Sequence, residues 1–377
     1  MEKPLSSETE ILIVGSGPAG IGVASLLSQA GNDYIVLEKK QIGNSFIDWP
    51  KNMEMITPSF PSNAFGQMDL NSICEGTSPA FSFNKEHLLG DEYAEYLELV
   101  ANYFQINIQP STEVIKVNKQ PNGWVVETNQ GDYFSKYLIW AAGEFQNPQI
   151  KNIKGAEHCI HSSYIRYPDR VEGDGFAIIG GYESGIQLAY DLVSNQKNVT
   201  LIEPSEIDDS STSDPSQVLS PHTFKKYKKI QNSPLYNEVT GKVNSVIKKE
   251  DGYHLELEDE QVIKTERIPI CATGFSLVDE PIKELISYRE DGSPKLTEKA
   301  DEFDGQENMY LTGPSVRHDN HIFCFIYKFR QRFGVIVEDI LRKEKVDEEQ
   351  ISLCVEKWKS NGMYLSDLSC CDDECVC

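Results

Sequence analysis

Two glycine-rich turns in this chain have the spacing that brings a backbone against a phosphate. The first is Gly15-Ser16-Gly17-Pro18-Ala19-Gly20, preceded by the apolar run Ile11-Leu12-Ile13-Val14 and followed by an apolar-patterned stretch from Ile21 to Ala30. Glycines at these positions allow a tight turn, close approach of a pyrophosphate and close packing of the next helix, whose N-terminus favours negative charge. Glu38 closes the following strand, Tyr34-Ile35-Val36-Leu37, where a carboxylate accepts bonds from ribose hydroxyls. The second turn is Gly180-Gly181-Tyr182-Glu183-Ser184-Gly185. It lies between Phe176-Ala177-Ile178-Ile179 and a striped segment running to Val193, with Glu203 closing Val199-Thr200-Leu201-Ile202. A lone G-x-G-x-x-G is weak, but strand, turn, helix, second strand and acid together predict a dinucleotide seat, and here they occur twice. Two seats in one chain point to a flavin and the nicotinamide nucleotide that reduces it.

The elements that must position these turns repeat as well. After the first come Glu113 to Val117, the turn Pro121-Asn122-Gly123, Trp124 to Thr128, and Tyr137-Leu138-Ile139-Trp140 ending in Ala141-Ala142-Gly143. After the second come Lys242 to Ile247, Asp251-Gly252, Tyr253 to Leu257, and Ile268-Pro269-Ile270-Cys271 ending in Ala272-Thr273-Gly274. The reading is an α/β chain of two Rossmann-like dinucleotide-binding domains, each with a parallel sheet and a small β-meander. Residues 1–150 and 271–345 are expected to form the two parts of an FAD domain and 151–270 the nicotinamide domain. Residues 346–377 would be a C-terminal extension.

On these motifs the chain resembles the two-dinucleotide-binding-domain flavoproteins. Ala141-Ala142-Gly143 with Pro148, and Ala272-Thr273-Gly274-Phe275, resemble the two ATG elements of flavin-containing and Baeyer–Villiger monooxygenases. Gly155 with His161-Ser162-Ser163-Tyr164 is similar to their linker motif, with a longer Gly-to-His spacing. Gly43-Asn44-Ser45-Phe46, Trp49-Pro50 and Thr57-Pro58-Ser59-Phe60 resemble a bacterial branch that includes accessory flavoproteins of cation efflux. The resemblance implies FAD at the first turn and NADH or NADPH at the second. For the first seat it implies contacts from Gly15, Ser16, Gly17, Pro18, Ala19, Gly20, Glu38, Lys39, Ser45, Phe46, Trp49, Val114, Ala142, Gly143, Gly313 and Pro314. For the second it implies Gly180, Tyr182, Glu183, Ser184 and Glu203, with Thr273 and Gly274 at the second crossing. Pro314 stands where the superfamily usually has an Asp, which puts the ribityl contact in question.

Composition narrows the functions. With 35 Lys and Arg against 59 Asp and Glu, the net charge is -24, so a nucleic acid would be repelled. There is no apolar run long enough to span a bilayer and no signal-peptide stretch, so the expectation is a cytoplasmic enzyme with no membrane insertion. The nine cysteines then read mainly as reduced thiols. Disulfide reductases of this architecture carry a Cys pair soon after the first strands or beside the second glycine turn, and neither 41–46 nor 180–185 contains cysteine. A branch that reduces low-molecular-weight disulfides uses a cysteine in the first glycine turn; this chain has Ala19. Four thiols cluster instead at the tail, as Cys370, Cys371, Cys375 and Cys377. They are candidates for a soft metal ion or a thiol relay, although the acids among them raise their pKa. The alternative is an inert polar tail.

Other segments are ambiguous on sequence alone. Tyr93, Leu97, Val100 and Phe104 share a helical stripe that reads as core. His318 and His321 read either as polar contacts near the flavin or as packing residues. Lys225 to Lys229 is a solvated face or a guide for cofactor phosphates. Glu203, with Glu206, Asp208 and Asp209 after it, favours NADH over NADPH, although Tyr182 replaces the middle glycine and weakens either. The reading is an FAD-dependent, NAD(P)H-oxidising oxidoreductase of the monooxygenase type, with O2 and a small organic molecule as substrates and no assigned catalytic residue. The alternatives are a reductase of a thiol, disulfide or soft metal ion, and a metal-efflux accessory flavoprotein.

Overall fold

In a computed structural model of the chain, which describes residues 5–60, 68–150, 153–205, 207 and 216–368, the two halves form separate units. The first comprises residues 1–47, 58–144 and 277–377; the second comprises 48–57 and 145–276. Both are built on the parallel α/β plan expected from the repeated strand-turn-helix pattern.

In the first unit, strand β1 (Leu5–Val14) leads through the glycine turn into helix α1 (Pro18–Ala30) and strand β2 (Tyr34–Leu37). Pro18 sits in the first turn of α1, where its missing N–H costs no bond. Gly31 ends the helix in the left-handed region, and its N–H returns to Ser28 O. Helix α2 (Gly90–Tyr103) buries Tyr93, Leu97 and Val100 on the expected stripe. Strands β3 (Ile108–Gln109), β4 (Val114–Gln120), β5 (Gly123–Thr128) and β6 (Gly131–Trp140) complete a sheet of order β3-β2-β1-β6-β5-β4, with Met309–Leu311 also pairing with β6.

Strand β6 belongs to two structures at once. Residues 131–135 pair antiparallel with β5 in the meander, whereas Leu138, Ile139 and Trp140 pair parallel with Met309–Leu311. Its whole length runs parallel to β1. The parallel half is buried on both faces and reads Tyr137-Leu138-Ile139-Trp140, a continuous apolar run.

The second unit repeats the plan with one break. Strands β7 (Ile160–His161), β8 (Phe176–Ile179), β9 (Val199–Glu203) and β10 (Tyr236–Thr240) flank helices α3 (Glu183–Ser194) and α4 (Pro221–Ile230). Strands β11 (Val243–Lys249), β12 (Gly252–Leu257) and β13 (Val262–Thr265) form a separate antiparallel meander, and β14 (Ile270–Cys271) returns to the parallel sheet, of order β10-β9-β8-β14-β7. What is one strand in the first unit is two here. Pro269, which has no N–H to donate to a ladder, lies between β13 and β14. One face of the parallel sheet packs Ile178, Leu201 and Ile270 against Ile186, Leu192 and Tyr227 of α3 and α4; the other packs Ile179, Ile202 and Cys271 against the meander.

Candidate dinucleotide sites

In the first unit the glycine turn is set by clashes that only hydrogen avoids. Gly15 has φ +105°, and a Cβ there would lie 2.4 Å from Ala141 O; one at Gly20 would lie 2.0 Å from Gly15 O. The turn is thereby wedged against the carboxyl end of β6. Gly17 differs: its φ of -79° suits any residue, and a Cβ there would meet nothing within 4 Å. No side chain caps α1, so the donors of its first turn face open space beside Gly17.

Glu38 is buried, and its carboxylate holds the turn in place. Oε2 accepts from Ser16 N at 2.9 Å and Ser16 Oγ at 2.7 Å, and Oε1 accepts from Lys40 N at 2.8 Å. Oε1 retains an acceptor site for a ribose hydroxyl. Lys39 is largely exposed and pairs with Glu113 at 2.7 Å, beside Val114 at the start of β4. Ser45 and Phe46 lie in the turn of helix Asn44–Ile47, where the Phe46 ring centroid is 4.7 Å from that of Tyr93. Trp49, grouped with them by sequence, lies in the second unit with its ring 6.5 Å from that of Phe145.

The other strand ends complete this edge of the first unit. Ala142 and Gly143 follow β6, Gly143 with φ +70° and no atom within 4 Å of a Cβ position. Gly313, at φ +112°, follows Met309–Leu311 and has Ala19 Cβ as its one near neighbour, at 3.3 Å; Pro314 comes next. Thr312 Oγ1, directly after Met309–Leu311, is buried here without a hydrogen-bond partner; His321 Nε2, in the separate antiparallel pair with Arg317–His318, is likewise unpartnered. Open glycine faces, uncapped helix donors and the orphaned Thr312 hydroxyl at the carboxyl ends of parallel strands fit an elongated phosphate-bearing ligand such as FAD.

A residue that the sequence did not single out lies at this edge. Glu144, directly after Gly143, accepts from Ser315 Oγ at 3.3 Å, and burial raises its carboxyl above the ordinary value, with Ser315 and Arg317 opposing. An acid adjoining an Ala-Ala-Gly strand end was the available signal. His318, by contrast, is a packing residue: its Nε2 meets Asp301 Oδ1 at 2.6 Å, and Asp301, buried at φ +56°, also accepts from Arg332 Nη2 at 2.8 Å.

In the second unit the turn repeats the backbone with different side chains. Gly180 (φ +104°) and Gly185 are again locked, their Cβ positions 2.5 Å from Ala272 O and 1.8 Å from Gly180 O. Glu203 accepts from Gly181 N, as Glu38 does from Ser16, and burial raises its carboxyl pKa. Tyr182, however, occupies the place of Gly17 with nearly the same backbone (φ -93°, ψ -162°), and its hydroxyl donates to Val218 O at 2.6 Å. Glu183 opens α3 and accepts from Ser220 N at 2.6 Å, Ser220 Oγ at 3.0 Å and Thr223 Oγ1, so its carboxylate serves the N-terminus of α4. Ser184 lies within α3. Thr273 Oγ1 donates to Gln149 O, and Gly274 O accepts from Gln149 N at 2.9 Å and faces His161 Nε2 at 3.1 Å. The backbone fits a second dinucleotide, with the Tyr182 ring on the side from which its pyrophosphate would approach.

The basic run is tied to its own unit. Lys226 is buried between Glu54 Oε2 (2.9 Å) and Gln187 Oε1 (2.6 Å), while Lys228 and Lys229 lie over the rings of Phe224 and Tyr190. Hydrogen bonds from His222 and Lys226 hold Glu54 down at about 2, which fixes residues 48–57 to α4. The tail thiols Cys370, Cys371, Cys375 and Cys377, with Glu206, Asp208 and Asp209, lie outside the described residues. Among the described residues, no group of three or more His, Cys, Asp or Glu could hold a metal ion, and no helix is long and apolar enough to cross a membrane.

Comparison with known proteins agrees with this geometry. A family model described as Pyridine nucleotide-disulphide oxidoreductase matches residues 12–313. The chain belongs to that family. That description is of oxidoreductases that use a pyridine nucleotide. Among family relatives, the uncharacterized oxidoreductase CzcO of Bacillus velezensis is 30% identical over 188 residues, covering 48% of this chain and 51% of that protein. The match thus spans about half the length of that curated relative. Among solved structures, bacillithiol disulfide reductase Bdr from Staphylococcus aureus superposes with a TM-score of 0.74 at 21% identity, covering 90% of this chain and 99% of that one. A flavin-containing monooxygenase from Stenotrophomonas maltophilia gives 0.66 at 14% identity, covering 90% and 98%. At such identities the two structures establish the shared two-domain fold.

Proposed function

We propose that this protein is an FAD-dependent enzyme that oxidises NADH in preference to NADPH and uses the electrons on O2 and a small organic substrate. The observation that carries this reading is the pair of locked glycine turns, each bonded to a carboxylate at the end of the next strand. Bound flavin would supply hydride acceptance and reaction with oxygen. The chain's residues bind and orient: the uncapped first turn of α1 holds the pyrophosphate against Gly17, and Glu38 Oε1 takes a ribose hydroxyl. Burial shifts the Glu144 carboxyl beside Gly143 toward its protonated form. In the second unit Glu203 accepts from ribose hydroxyls and repels a 2′-phosphate, which supports NADH. A cytoplasmic setting accords with a thiol-rich chain.

Oxygen uptake during NADH oxidation, with and without candidate amines, thioethers and ketones, tests the reading. Flavin reduction without oxygen uptake would sink the monooxygenase part. A second reading, reduction of a small disulfide, is supported by the packing of Cys159 and Cys271 on one apolar cluster of the second unit.

A further inference from the structure

The two glycine turns differ in what stands on the ligand side of the backbone. At Gly17 the Cβ position is open, with nothing within 4 Å, and α1 begins there with no side chain over its donors. Tyr182 takes the same place ahead of α3 with φ -93° and ψ -162°, against -79° and -173° at Gly17. Its Cβ therefore leaves the backbone toward the space that stays open in the first unit. No side chain caps α3 either. Tyr182 is 45% exposed, so its ring is not there to fill a core.

The far end of that side chain is held. The Tyr182 hydroxyl donates to Val218 O at 2.6 Å, two residues before the N-cap of α4. The N-cap itself is anchored by the next residue of the glycine turn: Ser220 N and Ser220 Oγ donate to Glu183 at 2.6 and 3.0 Å, and Thr223 Oγ1 donates to the same carboxylate. Ser220 and Thr223 are buried. Glu183 thus fixes the position of the 218–220 stretch, and Tyr182 closes onto it from the N-terminus of α3. A tyrosine hydroxyl has one proton to give, and here it goes to Val218 O. A phosphate, which only accepts, would meet the ring and the oxygen lone pairs instead of a donor.

We propose that Tyr182 latches the second seat: a pyrophosphate reaches the N-terminus of α3 only after the Tyr182 hydroxyl releases Val218 O and the ring swings into solvent, while Glu183 keeps residues 218–220 in place. The inference rests on the reading of this turn as a nucleotide seat. In the free protein the latched arrangement predominates, and the apparent affinity for a nucleotide falls by the fraction of molecules that are unlatched. One hydrogen bond of ordinary net strength corresponds to a preference of about two- to tenfold. The latch therefore weakens binding without abolishing it. NADH and NADPH bring the same pyrophosphate and are held back equally, so Tyr182 sets how tightly the seat binds and Glu203 sets which nucleotide it prefers.

The test titrates full-length, FAD-loaded, oxidised protein with ADP-ribose, which carries the pyrophosphate and delivers no hydride, and reads affinity by calorimetry. Tyr182→Phe keeps the ring and removes only the hydroxyl. It should bind ADP-ribose about two- to tenfold more tightly than the unaltered protein, with Tyr182→Gly at least as tight. A tyrosine with a purely structural part would leave the affinity unchanged or lower it. Equal affinity in Tyr182→Phe and the unaltered protein, even with Tyr182→Gly tighter, would leave the bulk of the ring as the only obstacle and overturn the latch. Weaker binding in Tyr182→Phe would overturn it too, by giving the hydroxyl to the ligand. Both results keep the nucleotide seat. ADP-ribose binding by none of the three proteins removes the seat itself, and the latch with it.

Discussion

Substituting Gly17 separates ligand binding from folding, because Gly17 and its neighbours in the turn face different surroundings. A Cβ at Gly17 meets nothing within 4 Å, and its φ of -79° is one that Ala and Val adopt freely. The apoprotein should therefore fold normally with Gly17→Val. For Gly17→Ala, lower unfolded-state entropy should add about 0.4–1 kcal/mol of stability. The proposed pyrophosphate lies in the space the new side chain fills. Displacing it from the uncapped donors of α1 loses about two charge-assisted hydrogen bonds at roughly 1.5–3 kcal/mol each, or about 10²- to 10⁴-fold in FAD affinity. Gly20→Ala is the contrasting control: its Cβ would lie 2.0 Å from Gly15 O, so it should destabilise the apoprotein itself. Absorbance at the flavin band per protein, with melting temperatures of FAD-stripped samples, measures both effects. A folded Gly17→Val protein that keeps its full FAD complement would refute the assignment of this turn to the pyrophosphate.

Stopped-flow reduction should be faster with NADH than with NADPH, and Tyr182→Gly should tighten binding of either nucleotide by roughly tenfold, about 1.4 kcal/mol; unchanged affinity would place the Tyr182 ring clear of the phosphates. A chain ending at Leu368 should keep its FAD and its NADH-driven flavin reduction, because the cut spares Leu368, which is buried, and Leu365, whose carbonyl accepts from Arg332; loss of turnover with flavin reduction intact would give the tail thiols a role. Burial pushes Asp191 up to about 6, so as pH rises the unfolded chain ionises first and the folded state loses stability between about pH 4 and 6. Asp191→Asn should therefore raise the melting temperature at pH 8, by up to about 3 kcal/mol in stability, and change little at pH 4, a pattern that thermal unfolding at the two pH values checks.

The parallel sheets were legible in the sequence because their signals are local. Ile11-Leu12-Ile13-Val14 is the continuous apolar run of a strand buried on both faces, as in a parallel sheet, and each glycine turn sits where such a strand gives way to a helix. The acids were legible for the same reason, although their bonding was not. Glu38 and Glu203 were assigned to ribose, yet each also accepts a backbone N–H of its own turn, and that fixes its orientation before any ligand arrives. Glu183 belongs to the glycine motif by position and serves α4 in three dimensions, through Ser220 and Thr223. Nothing in the spacing of these residues predicts that contact, because it depends on how α4 packs against α3.

The same distinction explains the cysteines. Thiol pairs close in sequence are found by reading, and reading directed attention to the tail. Cys159 and Cys271 become neighbours only because β14 inserts between β8 and β7, a consequence of sheet order rather than of any motif. In the first unit the strand corresponding to β13 and β14 runs unbroken from Gly131 to Trp140. In the second, Pro269 interrupts it and leaves the two-residue β14 paired with the two-residue edge strand β7. A short strand at a sheet edge has few ladder bonds to break, so this edge of the second unit's sheet should open most readily. The break at Pro269 thus gives the second unit a short-stranded edge, β14 with β7, where the first unit has the continuous β6.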